Sequence, residues 1–290
     1  MQRLSPALLA ALLVALPSTA AGGGGGFANP ATLDLFDLTL GADPGDSLFL
    51  GHDVAFDVTG DAGEAVVLLA SVTPPPANPP VIGGVPVQVD VANAVTLFSG
   101  LTDPAAVIPA SRMLQLSATV PPTIPLGRKF FIQAALIDPA VGTLRLTNGI
   151  TPVTAGEPFQ TVEQGSQSGH PLAGPGGAVV IDNAADWSTF WTQHKSIFFP
   201  PPALPPIDFT QVVVLAAFDG TKPTAGYSFD IDAVIYTGTA LNVEATAQQP
   251  GTGCFTLQVI TFPFQIVTVD RAVNAPAGSV QKDVLTYTCP

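Results

Sequence analysis

Proline decides what the first half of this chain can become. Clusters fall at Pro74-Pro75-Pro76, Asp103-Pro104, Pro121-Pro122 and Asp138-Pro139. A prolyl nitrogen carries no hydrogen, so it cannot donate to a sheet ladder, and each cluster ends the strand before it. The intervening runs are short and either alternate or are wholly apolar: Val54 to Thr59, Val66 to Ser71, Val85 to Val89, Ala94 to Leu97, Leu114 to Val120 and Phe130 to Ile137. No helix-length amphipathic period links them. This spacing predicts an immunoglobulin-like antiparallel β-sandwich over residues 27–154, with a tight turn at Asn148-Gly149. Hydrophobic residues make up 47% of the chain, enough to build a core and to exclude global disorder.

The charge balance narrows the partners. Twenty-two acidic residues against nine Lys and Arg give a formal net charge of −13, and the basic residues are scattered. Phosphate backbones are gripped by clustered Lys and Arg, so no nucleic-acid partner is expected. At the N-terminus, Arg3, the apolar run Leu8 to Leu16 and the small residues Ser18-Thr19-Ala20-Ala21 read as a signal peptide over residues 1–21. That run is shorter than the roughly 20 residues a membrane helix needs, so no transmembrane segment is expected. Gly22 to Gly26 reads as a linker, and the product as secreted or periplasmic. In that setting Cys254 and Cys289 read as a disulfide. Two Cys and three separated His do not make a metal centre. The acidic residues Asp43, Asp46, Asp53, Asp57, Asp61 and Glu64 lack EF-hand spacing and read as a solvated rim. No cofactor or metal is expected.

Residues 155–177 are rich in Gly and Ser and read as a linker, with room for one short strand entering the second domain. A second domain is expected over residues 178–290. There Asn183, three residues before Asp186, signals a helix start. Trp187, Phe190, Trp191 and His194 follow at i, i+3, i+4 and i+7, one apolar stripe that reads as core. Five prolines between Phe199 and Pro206 take the chain out of that helix. Strands are expected at Val212 to Phe218, Tyr227 to Tyr236, Leu241 to Ala247, Phe255 to Thr261, Gln265 to Val269 and Val284 to Tyr287. The fold class expected is therefore mainly β, with one amphipathic helix in the C-terminal domain.

Catalytic signatures are missing from the sequence. There is no Gly-x-Ser-x-Gly elbow, no His-Glu-x-x-His and no Gly-rich phosphate loop after a strand. His52, His170 and His194 are far apart in sequence. The chain reads as a non-enzyme that displays loops.

The order of features in the second half resembles the C-terminal domain of the protease-complex subunit PrcB. The matching features are Ile181 with Trp187 and Trp191; Ile207-Asp208-Phe209 before Val212-Val213-Val214-Leu215; Gly220 and then Pro223-Thr224-Ala225-Gly226-Tyr227; Pro250-Gly251; and Phe262-Pro263-Phe264 before Val267 to Arg271. Ala225-Gly226 stands where the family often has two glycines, and the turn needs Gly226 at positive φ. The resemblance implies an accessory module that binds another secreted protein, with a protease as the partner class. Its contact residues would be Lys222, Pro223, Thr224, Gly226 and Tyr227, with Gly251, Gly253, Phe262, Pro263 and Phe264 beside them. The loops Pro223 to Gly226, Gly251-Thr252-Gly253 and Pro263-Phe264 also resemble, in order, the three loops of chagasin-type cysteine-protease inhibitors, with Lys222 in place of that family's Asn. A structural cell-envelope or matrix protein is the third reading. In the first half, Phe131 to Pro139 and Leu146 to Gly149 resemble a β-domain of exported bacterial proteins, which implies location rather than activity.

Overall fold

The computed structural model describes residues 31–289; the expected signal peptide and Gly22 to Gly26 lie outside them. The chain divides into two compact units. Among the described residues, the first holds 31–48, Asp53–Val120 and Ile124–Ala155; the second holds Phe49–His52, Pro121–Thr123 and 156–289.

The first unit is built from β1 (Thr32–Asp37), β2 (Ser47–Phe49), β3 (Asp53–Thr59), β4 (Ala65–Ser71), β5 (Val81–Ile82), β6 (Val85–Pro86), β7 (Val95–Ser99), β8 (Met113–Thr119), β9 (Phe131–Asp138), β10 (Thr143–Ile150) and β11 (Val153–Ala155). Its main sheets run β1-β3-β8 and β10-β9-β4-β7, and their strands pair antiparallel. Every residue of β4 is buried, because Val67 and Leu69 meet Val87, Val89 and Leu146 on one face while Val66 and Leu68 are buried on the other. Successive side chains of a strand point to opposite faces, so a strand covered on both sides must be apolar throughout. The acidic rim is partly spent inside the unit. Arg145 donates from Nε to Glu64 Oε1 at 2.7 Å and from Nη2 to Asp61 Oδ2 at 3.2 Å.

One expected turn is a different device. Asn148 and Gly149 lie inside β10, where the register with β9 shifts between Leu146 and Gly149. The Asn148 side chain takes the Leu33 N–H at 2.8 Å and returns a bond to the Leu33 carbonyl at 2.9 Å. A bulge frees one residue from its ladder, and here that residue ties β10 to β1.

The second unit contains β12 (Phe159–Gly165), β13 (Gly177–Ile181), α1 (Ala184–His194), β14 (Val212–Phe218), β15 (Ser228–Tyr236), β16 (Leu241–Pro250), β17 (Phe264–Asp270) and β18 (Ala277–Tyr287). One sheet runs β12-β17-β14-β13 and the other β15-β16-β18. The segment 155–177, expected as a linker, carries β12, which pairs with β17 along its length. Its Gln160, Thr161, Glu163 and Gln164 suit an edge strand and leave little apolar pattern. The β15-β16-β18 sheet is mixed, since β15 pairs antiparallel and β18 parallel to β16.

The unit has three layers. Val213, Leu215, Ala217, Val267 and Val269 face Phe229, Ile231, Val234, Val243 and Ala245 of the other sheet. Val214, Ala216, Phe218, Phe264 and Ile266 face α1 on the far side. This explains the uninterrupted Val213 to Phe218 run: both faces of β14 are covered. The helix forms as the stripe predicts. Asn183 Oδ1 accepts the Asp186 N–H at 2.9 Å, its Nδ2 donates to Asp186 Oδ2 at 2.8 Å, and Trp187, Phe190, Trp191 and His194 are all buried.

Candidate functional site

The chain leaves β14 at Asp219 and turns at Gly220, whose φ is +84°. The loop 222–227 then lies along the segment 256–261. Lys222 and Thr261 exchange backbone bonds of 2.8 and 3.1 Å, Ala225 N–H reaches the Leu257 carbonyl at 3.0 Å, and the Thr261 hydroxyl donates to the Thr224 carbonyl at 2.9 Å. Gly226 takes φ +93°, the left-handed conformation the turn requires. A methyl group there would lie 2.7 Å from the Tyr287 hydroxyl, which donates to the Gly226 carbonyl at 3.0 Å.

The Gly251 loop meets the same place. Gly251 N–H donates to the Tyr287 carbonyl at 2.9 Å, and Cys254 N–H closes back on Gly251 at 3.2 Å. Cys254 and Cys289 form a disulfide with Cα atoms 5.2 Å apart. Lys222 to Tyr227, Gly251 to Gly253 and the end of β18 therefore gather at one end of this unit.

Beneath them sits Asp219, whose carboxylate is fully buried. Lys222 Nζ lies 2.8 Å from one oxygen, and Lys282 of β18 pairs with the other. A buried carboxylate needs such partners, since an unpaired charge away from water is costly. Lys222 Nζ also stands 5.8 Å from the Tyr227 ring centroid, a cation–π contact that orients the ring. Asp219 and Lys282 line a cavity of about 340 Å³ with Gly176, Gly177, Phe218 and Gly278.

The third expected loop is placed differently. Pro263 is buried, Phe264 is 1% exposed in the core, and Phe262 is half-buried with its N–H on the Ser166 carbonyl at 2.8 Å. Phe264 stacks edge-on against His194 at 4.6 Å. Of these three, Pro263 and Phe264 are buried and Phe262 is half-buried.

Next to the Gly251 loop Phe255 is exposed. The segment Phe255 to Thr261, expected as a strand, has only an isolated bridge at Thr261 and belongs to no sheet. Phe255 is 98% and Leu257 71% exposed, with Val259 and Ile260 exposed beside them. Their alternation looks like a strand, but the Lys222 to Tyr227 loop takes only two of their carbonyls, and the disulfide anchors the start of the segment. The available signal was Cys254 itself: a staple beside a Gly-rich turn marks a loop whose ends are fixed.

A second polar cluster lies under the helix. Ser168 Oγ is 2.7 Å from His194 Nδ1, His194 Nε2 is 3.2 Å from Glu163 Oε2, and Lys195 pairs with Glu163 Oε1. Ser, His and a carboxylate in line invite comparison with a nucleophilic triad, but the surroundings differ. Ser168 is buried, its oxygen accepts the His170 N–H at 3.1 Å, and the ring nitrogen it meets is Nδ1. The network clamps the helix end to β12. Burial pushes the Glu163 carboxyl up, but hydrogen bonds and charge from His194 and Lys195 outweigh it and hold the group below its ordinary 4.5. Burial, with the charge of His194 added, holds His170 below 6.5; its ring lies between Phe190 at 4.6 Å and Phe218 at 5.5 Å. His52, the remaining histidine, is buried against Glu157 at 2.7 Å. Among the described residues no group of three or more His, Cys, Asp or Glu is placed to hold a metal ion, and no helix is long and apolar enough to cross a membrane.

Residues 213–270, from β14 to the end of β17, match the family described as PrcB C-terminal. The matched region contains the Lys222 to Tyr227 loop, the Gly251 loop and the Phe255 segment. The C-terminal part of this chain is thus similar to that family. No curated protein matches the chain.

Proposed function

We propose that the chain is an exported, non-catalytic accessory module that binds another exported protein through the stapled end of its second unit. A protease is the partner class that the PrcB C-terminal similarity favours. The observation that carries the reading is Phe255 to Ile260: four large apolar side chains held out in solvent beside the Lys222 to Tyr227 turn. Soluble proteins rarely expose contiguous apolar surface without a use for it, and aromatic anchors dominate interface energy. The disulfide and the Asp219 ion pairs hold this surface in place before binding, which lowers the ordering cost. The buried Pro263 and Phe264 take one of three wedges away from a chagasin-like inhibitor, so we place the accessory role first.

The test is recovery of partners from the exported proteins of the source cells, using the full chain and a Pro223→Ala/Tyr227→Ala variant as baits. The reading expects a protein, foremost a protease, held by the unsubstituted bait and lost from the variant. Equal recovery by two folded baits would remove the loop from the interface.

A further inference from the structure

The five prolines after the helix form a strap that the proposed site does not use. It runs Phe199-Pro200-Pro201-Pro202-Ala203-Leu204-Pro205-Pro206. Prolines fix their own φ near −65°, and each residue before a proline is pushed to extended or polyproline II backbone. The Phe199-Pro200 bond is cis, so the stretch set toward polyproline II, which is all-trans and repeats every three residues, begins after it, at Pro200, and within it Ala203 alone escapes both constraints. The hydrogen bonds carry that period. Trp191 Nε1 donates to the Pro202 carbonyl at 3.2 Å, and Trp187 Nε1 to the Pro205 carbonyl at 3.0 Å. Two carbonyls three residues apart thus face the same side, toward α1.

The other edges of the run face away. The carbonyls of Pro200, Pro201, Ala203 and Leu204 meet no protein donor among the described residues. Phe199 is 100% exposed, and Ile197 and Leu204 are exposed as well. Phe198 is oriented by Lys195, whose Nζ lies 4.9 Å from its ring centroid. The helix thus clamps one edge of a proline helix and displays the rest.

We infer that this strap is a second recognition element, a ligand for a partner protein whose groove reads polyproline II. The chemistry of that partner follows from the strap. Outward carbonyls without N–H neighbours call for indole, phenol or amide donors, and proline rings and Phe199 call for aromatic walls. The chain's own Trp187 and Trp191 read the inner edge with the same chemistry. Clamping fixes the run before any partner arrives, so the ordering cost of binding falls on the partner alone.

The experiment places a photo-crosslinking phenylalanine at position 199 of the full chain and exposes it to extract of the source cells. The synthetic peptide spanning residues 197–207 serves as competitor. The inference expects an adduct that excess peptide suppresses, formed on an aromatic groove of one protein. That protein, once purified, should bind the unsubstituted chain at least tenfold more tightly than Phe199→Ala. Trp191→Phe, which keeps the ring and loses the donor, should weaken binding while Phe199 stays in place. Absence of a peptide-suppressible adduct, or equal binding of Phe199→Ala at unchanged melting temperature, would overturn the inference.

Discussion

At the scale of single residues, exposure separates binding from support. Phe255 is nearly fully exposed, so Phe255→Ala should move stability by no more than about 0.5 kcal/mol while removing an interface anchor. Phe264 is its opposite. It fills the space between His194 and Phe218, and Phe264→Ala should cost about 3–5 kcal/mol, read from the midpoint of chemical unfolding. Gly226→Ala combines positive φ with a close approach to Tyr287, and should destabilise the turn. The titrating pair gives a pH prediction. His170 has a depressed pKa, so the unfolded chain takes up its proton first and stability falls as pH drops through 6.5. Glu163 is also depressed, so its contribution, present above 4.5, is lost as pH falls further. Melting temperature should therefore decline from pH 7 to pH 4. His170→Phe should flatten the upper part of that decline and Glu163→Gln the lower part. A melting temperature that rose on acidification would contradict both assignments.

At the scale of elements, the staple matters most for β18. This strand is exposed along nearly its whole length and buries little of its own, so its seat against β16 depends on hydrogen bonds, Lys282 and the disulfide. The bond spans 35 residues, and closing a loop of that size contributes about 4 kcal/mol on the chain-entropy model. Cys254→Ser/Cys289→Ser should lower the unfolding free energy by a comparable amount and raise hydrogen exchange first in β18 and the Gly251 loop. What the sequence made legible follows the same logic. The runs that became β3, β4, β8, β9, β14 and α1 were readable because period and burial agree in them. β12 was not, since its polar residues pair at an edge and leave no apolar pattern. The Phe255 segment misled, because period-2 alternation does not say whether a ladder partner exists. Asn148-Gly149 misled because a bulge and a turn draw on the same residues. Of the candidate site, the Lys222 to Tyr227 and Gly251 loops were legible from their turn chemistry. Phe255 and the Asp219 ion pairs were not, since both depend on where β18 returns in space.

At the scale of the molecule, two β-rich units share one chain, and the proposed interface lies in the second. Its layers are α1, the β12-β17-β14-β13 sheet and the β15-β16-β18 sheet, with the disulfide at the end of β18. Such an arrangement suits a rigid module that presents loops without remodelling them. The most direct test of that account is the affinity of the recovered partner for the full chain and for Phe255→Ala/Leu257→Ala, compared at matched melting temperatures. The account predicts at least a tenfold loss, about 1.4 kcal/mol. Unchanged affinity in the folded variant would contradict it and move the interface away from the stapled end.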